Sequence, residues 1–173
     1  MPFYRMLFLG GCILLLQTGP SNGQNASSSG AAKLSAEDRS FLLDAASSGQ
    51  HEVQMGMLGV ERGTSTEVKV YAQRILDDHI LSNAEVEALA RLKGVQLPDP
   101  AKTDPSAVNL SRMTGLEFDQ AFVREAVQGH LKDLAEFQKE DQSAVADPDV
   151  KGFAHSALPK IQMHLDQAKT LKP

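Results

Sequence analysis

Four long segments of the sequence have an amphipathic helical pattern, and each begins at a recognisable start signal. Apolar residues recur every three or four positions in each segment, which predicts one buried face per helix. The start signals are a polar N-cap residue with an acid three positions later, or an N-cap residue followed by proline. They are Ser35 with Asp38, Thr64 with Glu67, Thr114 with Glu117, and Asp147 with Pro148. Gly63 and Gly94 act as stop signals after the first two segments. The sequence therefore predicts four helices, which end near Arg62, Lys93, Ser143 and Leu171.

The lengths of the links predict how these helices are connected. The first and third links are only a few residues long, so each joins two antiparallel helices in a hairpin. The middle link, roughly residues 95–113, contains Pro98, Pro100 and Pro105. Its length is explained if it runs back along the bundle, which makes the second and third helices parallel. The predicted fold is all-α, an antiparallel four-helix bundle with a ferritin-like long crossover link.

The first 23 residues have the pattern of a secretory signal peptide. Arg5 precedes an apolar run at residues 6–16, and a polar stretch follows. A helix of that length spans about 17 Å, which is well short of a bilayer core of about 30 Å. We therefore expect cleavage after Gly23 and no transmembrane anchor afterwards. The alternative is a lipoprotein anchored through Cys12, because residues 9–12 resemble a lipobox.

The sequence predicts three regions: a signal peptide at 1–23, a flexible tether at 24–33 and the bundle at 34–172. The tether is rich in small polar residues. The chain carries 17 Lys and Arg against 22 Asp and Glu, a net charge of −5, and no basic cluster. This balance argues against nucleic acid as a partner. The predicted location is the periplasm or the exterior.

Each predicted helix carries one polar side chain on its apolar face. These side chains are Glu52, His79, His130 and His164. If the long link places both hairpin turns at one end, all four lie within a band of two helical turns. Neutral imidazoles with one carboxylate suit a first-row transition metal such as zinc, iron, copper or nickel. The four residues are therefore candidate metal ligands, and Asp78 or Asp133 is expected to orient an imidazole from behind.

The same four residues fit two other interpretations. In the first, Glu52 accepts hydrogen bonds from the imidazoles, and a closed network fixes the helix register of a structural or interaction module. In the second, the metal keeps an open coordination position beside a pocket, and the protein is a metalloenzyme. His51 and His155 fall off the apolar faces and are expected to face solvent.

Several short motifs are spread along the predicted bundle. They are Glu52, Val68-Lys-x-Tyr-Ala72, Asp78-His79, Gly94-Val-Gln-Leu-Pro98, Phe118-Asp119 with His130, and Leu158-Pro159-x-Ile-x-x-His164-Leu165. Together they resemble the bacterial domain-of-unknown-function family 4142. The resemblance covers residues 35–171 and implies a ferritin-like bundle that is usually exported. It implies no known activity.

The ligand pattern differs from that of ferritin-like di-iron proteins, which use Glu-x-x-His on two helices. Here Leu76 precedes His79 by three residues, and Ile161 precedes His164 by three. We therefore expect no carboxylate-bridged di-iron centre. The expected function is that of an exported, non-enzymatic bundle that binds a metal ion or an envelope protein. A role in envelope stress is an analogy with the family's typical setting.

Overall fold

The computed structural model describes residues 34–99 and 105–172, and these ranges contain five helices. The predicted signal peptide and tether lie outside the described residues. The helices are α1 (Ala36–Arg62), α2 (Thr66–Leu92), α3 (Pro105–Leu110), α4 (Gly115–Gln142) and α5 (Pro148–Thr170). The four long helices are those predicted from the sequence, with ends within two residues of the prediction. The short α3 was not predicted, and it lies within the long middle link.

Two of the four predicted start signals form as expected. The Ser35 hydroxyl accepts from the backbone N–H of Asp38 at 3.0 Å, and the Asp38 carboxylate accepts from the Ser35 N–H at 3.3 Å. This is a complete capping box. At the start of α5 the Asp147 side chain accepts from the N–H groups of Asp149 and Val150, with Pro148 in the first turn. Local sequence therefore explains where α1 and α5 begin.

The other two start signals differ from the prediction. The cap of α2 is Ser65, whose hydroxyl accepts from the Val68 N–H at 3.1 Å, so the prediction of Thr64 was wrong by one residue. Thr64 and Ser65 are both good N-cap residues, so the local pattern does not separate them, and the N–H groups of both donate to the Asp119 carboxylate at 2.8 and 2.9 Å. Thr114 occupies the N-cap position of α4 as predicted, but its side chain makes no capping hydrogen bond.

Buried carboxylates at the two ends show which way each helix runs. At one end, Asp38 accepts from the Asp147 N–H at 3.2 Å, and Lys93 lies 2.7 Å from the Asp147 carboxylate. At the other end, Asp119 accepts from the N–H groups of Thr64 and Ser65 at 2.8 and 2.9 Å. We call these the Asp147 end and the Asp119 end. The α1–α2 turn lies at the Asp119 end and the α4–α5 turn at the Asp147 end. The expectation that both turns share one end was therefore wrong.

The four long helices pack as a bundle in which neighbouring helices are antiparallel. Helix α1 packs against α2 and α4, and α5 packs against the same two helices from the opposite side. Helices α1 and α5 start at the Asp147 end, whereas α2 and α4 start at the Asp119 end. Every packed pair of long helices therefore combines opposite directions.

The apolar core is divided into two clusters. The cluster nearer the Asp147 end is built around three phenylalanines, Phe41, Phe137 and Phe153, whose ring centroids lie 4.9–6.3 Å apart. The cluster nearer the Asp119 end contains Phe118 and Phe122 together with aliphatic residues of α1, α2 and α5. Polar side chains occupy the layer between the clusters. No helix in the described part of the chain is both long and apolar enough to cross a bilayer.

We expect Gly59→Ala and Gly152→Ala to change stability in opposite directions. A Cβ added at Gly59 of α1 would lie 2.5 Å from Ala72 Cβ and 2.7 Å from Phe122 Cε2, whereas one at Gly152 of α5 meets nothing within 4 Å. Overpacking at Gly59 costs about 1–3 kcal/mol. At Gly152 the higher helix propensity of Ala adds about 0.5–1 kcal/mol.

Urea denaturation of the two variants and the wild type measures both effects. Because the chemical change is the same, the two substitutions control each other. A Gly59→Ala protein as stable as Gly152→Ala would contradict the close packing of α1, α2 and α4.

Candidate metal centre

Three histidines from three helices meet in the polar layer between the apolar clusters. His79 lies on α2, His130 on α4 and His164 on α5. Counted along each helix, the three residues lie about 18–24 Å from the Asp147 end. Their heights therefore agree to within about one helical turn, even though the hairpin turns are at opposite ends. One ring nitrogen from each lies within 4.8 Å of the others.

The three imidazoles are enclosed by the bundle. His130 and His164 are 0% and 1% exposed, and the ring centroids of the three histidines are 5.2–5.8 Å apart. His79 is only partly buried as a residue, but its Nε2 is fully enclosed and has no hydrogen-bond partner among the described residues. We call His79, His130 and His164 the histidine cluster.

In two of these rings, the outer nitrogen, which is the one bonded to a group outside the cluster, has a fixed hydrogen-bond acceptor. His130 Nδ1 lies 2.7 Å from the carbonyl oxygen of Ala126, which can only accept, so Nδ1 carries the proton. His164 Nε2 lies 2.9 Å from an oxygen of Asp78. Burial alone would raise the pKa of Asp78, but its hydrogen bond to His164 and the charge of Lys160 outweigh that effect and lower it. Asp78 is therefore a carboxylate, and His164 Nε2 donates to it.

The inner nitrogens of the same two rings then carry no proton. Burial lowers the pKa of His79 to about 3 and that of His130 to about 4, and burial also lowers the pKa of His164. All three rings are therefore neutral at pH 7, and each neutral ring has one N–H. His130 Nε2 and His164 Nδ1 face each other at 3.3 Å as two lone pairs. Such a pair repels unless a cation lies between the two nitrogens.

The separation of these lone pairs suits a tetrahedral metal ion. Metal–nitrogen bonds of about 2.0–2.1 Å place two tetrahedral ligand nitrogens about 3.3–3.4 Å apart. His130 and His164 already have this spacing. The nitrogen of His79 is no more than 4.8 Å from the other two, so a shift of at most about 1.5 Å completes the triangle.

The structure places Glu52 against Nδ1 of His130, whereas His164 faces Nε2 of the same ring. Glu52 Oε1 is 3.7 Å from His130 Nδ1, the nitrogen that donates to Ala126. Burial, and then the charges of Asp133 and Glu125, raise the pKa of Glu52 well above its ordinary value and favour the neutral acid. Glu52 is thus not part of the histidine cluster. A role for it as a direct ligand stays a prediction.

The two residues expected to orient imidazoles have different environments. Asp78 holds His164, as a residue behind a metal ligand would. Asp133 instead accepts from the Ser48 hydroxyl at 2.7 and 2.8 Å, and burial raises its pKa to about 6. Sequence reasoning missed the Ala126 carbonyl as the group that orients His130. It lies one helical turn before His130, and any residue type there would supply it.

The two remaining histidines lie outside the cluster. His155 has a 77% exposed side chain and pairs with Asp141 at 3.1 Å, which confirms the expectation that it faces solvent. His51 is half-buried, and its Nδ1 lies 3.5 Å from the Ser106 hydroxyl of α3. His51 is therefore only partly exposed, because α3 packs against that part of α1.

Comparison with known proteins agrees with the resemblance seen in the sequence. The family model described as a domain of unknown function (DUF4142) matches residues 23–171. The chain belongs to the DUF4142 family. No curated protein matches this DUF4142 chain.

The DUF4142 bundle is also similar to a solved structure, the crystal structure of a DUF305 fragment from Deinococcus radiodurans. The TM-score is 0.68 and the sequence identity 14%, over 79% of this chain and 95% of that chain. At this identity the similarity is one of fold alone.

We expect His79→Gln to reduce the acid sensitivity of the metal-free protein. Burial and the neighbouring imidazoles lower the pKa of His79 from 6.5 to about 3. Between these pH values the unfolded chain binds a proton at His79 that the folded chain does not. The free energy of unfolding therefore falls as the pH drops from about 6.5 towards 3.

Urea unfolding at pH 7 and pH 5 measures this effect. The difference in unfolding free energy between the two pH values should be smaller in His79→Gln than in the wild type. His155→Gln, which removes an exposed imidazole, should keep the wild-type difference. Equal differences in all three proteins would show that the pKa of His79 is not lowered.

Proposed function

We propose that this DUF4142 protein is an exported helical-bundle protein that binds one first-row transition-metal ion through His79, His130 and His164. The observation that supports the proposal most strongly is the pair of unprotonated nitrogens of His130 and His164, 3.3 Å apart in the core. An ion placed between them removes the repulsion of their lone pairs. The same ion gives the buried Nε2 of His79 a partner.

The donor atoms favour zinc, iron, copper or nickel over harder ions. Neutral imidazole suits these metals, whereas magnesium and calcium require carboxylate, carbonyl and water oxygens. A divalent ion would bring two positive charges into the core. Asp78 supplies one negative charge through His164, and Glu52 and Asp133 are buried acids close enough to ionise in response. In this proposal Glu52 and Asp133 balance the charge of the ion, and Asp78 orients a ligand.

A structural or interaction module is the second candidate. Asp78, His164 and His130 form a continuous chain of polar contacts that a single added proton on one of the rings would complete. Such a network would fix the helix register without any ion. Under this alternative, the histidine cluster stabilises the fold and binds no ligand.

The export and the chain connectivity complete the proposal. Cleavage after Gly23 would release the bundle into the periplasm, with a role in envelope stress, and Cys12 would leave with the signal peptide.

We also propose that the link between α2 and α4 is a ferritin-like crossover. Its support is that α2 ends at the Asp147 end and α4 begins at the Asp119 end.

Metal binding is tested on the mature chain from Gln24, stripped with a chelator and equilibrated separately with zinc, copper, nickel and ferrous iron. We expect about one ion per chain for at least one metal, measured by elemental analysis after gel filtration. His164→Ala and His79→Ala should each lose the ion, and His155→Ala should retain it. The bound ion should also raise the Tm of the wild type.

Two results would contradict the metal proposal. The first is a wild-type protein that binds no metal above the level of an unrelated protein. The second is a His79→Ala variant that loses stability but shows the same metal content as the wild type. Either result favours the closed network.

Export is tested by expressing the full chain in a Gram-negative host and determining the N-terminus of the periplasmic product. We expect an N-terminus at Gln24 or within a few residues of it. Cys12→Ser should leave processing and location unchanged. Retention of the wild type in the membrane fraction, with release by Cys12→Ser, would support a lipoprotein instead.

A further inference from the structure

A small cavity of about 30 Å³ lies directly beside the histidine cluster. His79 and His164 form part of its wall. A cavity needs about 10–15 Å³ to hold one water molecule, so this one has room for about two. It is far smaller than the pockets of about 300–1,000 Å³ that bind organic ligands. Its size limits an occupant to water or to an ion of very few atoms.

The wall of the cavity is polar on one side and apolar on the other. Phe137, Phe153 and Ile161 belong to the apolar cluster nearer the Asp147 end. The polar part of the wall consists of Asp78, His79, Ser82, Asn83, Asp133, Lys160 and His164. An entirely apolar cavity of this size stays dry, whereas polar walls supply the two to four partners that a bound solvent molecule needs.

In the proposed metal site the three histidines are the protein ligands, and the fourth tetrahedral position is left to another group. Glu52 lies behind His130, against the nitrogen that donates to Ala126. The Asp133 carboxyl shares the single proton of the Ser48 hydroxyl between its two oxygens, and it is not in the group whose ligand atoms lie within 4.8 Å of one another. Structural zinc sites are closed by four protein ligands, whereas sites with three protein ligands keep a solvent molecule in the fourth position.

We propose that the cavity holds an exchangeable fourth ligand of the metal, a water or hydroxide that small anions can replace. This inference rests on the proposed metal site. The Asn83 amide and the Lys160 ammonium are donors in the cavity wall, and Lys160 is paired with the Asp78 carboxylate at 3.4 Å. The preference for a ligand with negative charge comes from the positive charge of the metal ion itself. The accepted class of ligand is therefore a compact anion of two or three atoms, bound directly to the metal.

The test uses the mature protein loaded with Co²⁺, whose visible absorption reports the ligands of the ion. Azide is the probe. We expect a saturable change in the spectrum on adding azide to the wild type, with the cobalt content unchanged at about one ion per chain.

Cavity-filling variants locate the azide. Ala157 and Ala45 line the cavity from α5 and α1, and Val at either position reduces its volume. In Ala157→Val the cobalt content should stay the same while the azide affinity falls at least tenfold. Ala45→Val should act in the same way and decides the result if Ala157→Val does not fold. Ala135→Val, at an exposed position on α4, is the matched control and should keep the wild-type azide affinity.

The outcomes separate this inference from the metal site itself. A protein that binds no cobalt and no other transition metal overturns the proposed function, and the inference with it. A protein that binds one cobalt ion without any response to azide overturns the inference alone. Equal azide affinity in the wild type and in the folded cavity variants overturns the assignment of the ligand to this cavity.

Discussion

The central constraint in this structure is a pair of hydrogen bonds that fix the orientation and the protonated nitrogen of two buried imidazoles. His130 donates to the Ala126 carbonyl and His164 to the Asp78 carboxylate, so the protons of both rings point away from each other. The unprotonated nitrogens of His130 and His164 are thereby directed at each other inside the bundle. These polar groups occupy the layer that divides the apolar core into two clusters, and their burial there lowers the pKa of the imidazoles.

The constraint can be met only if the helices have the correct direction and height. Buried Asp119 accepts from two backbone N–H groups in the α1–α2 turn, and buried Asp38 accepts from the N–H of Asp147 in the α4–α5 turn. Each carboxylate joins one hairpin to the other. Because one such contact lies at each end, sliding of the hairpins past each other would break hydrogen bonds at both ends. The register of the histidine cluster therefore depends on contacts far from it.

Much of this architecture could be predicted from the sequence, because caps and apolar periodicity are local patterns. They gave the four long helices and placed His79, His130 and His164 on buried faces. They could not show that Asp119 would accept from the backbone N–H groups of Thr64 and Ser65, since that contact joins residues far apart in the chain. Periodicity also identifies a face of a helix and not the ring nitrogen that points inward. For this reason it could not show that Glu52 lies against Nδ1 of His130, the nitrogen that donates to Ala126.

The distribution of the three histidines over the two hairpins has a consequence for folding. His79 belongs to the α1–α2 hairpin, whereas His130 and His164 belong to the α4–α5 hairpin. A metal ion bound by all three would be a cross-link between the two halves of the chain, and it would close a long loop in the same sense as a disulfide bond. The only cysteine of the chain is Cys12, outside the described bundle. Metal binding at this position would therefore couple the docking of one hairpin on the other to the concentration of the ion.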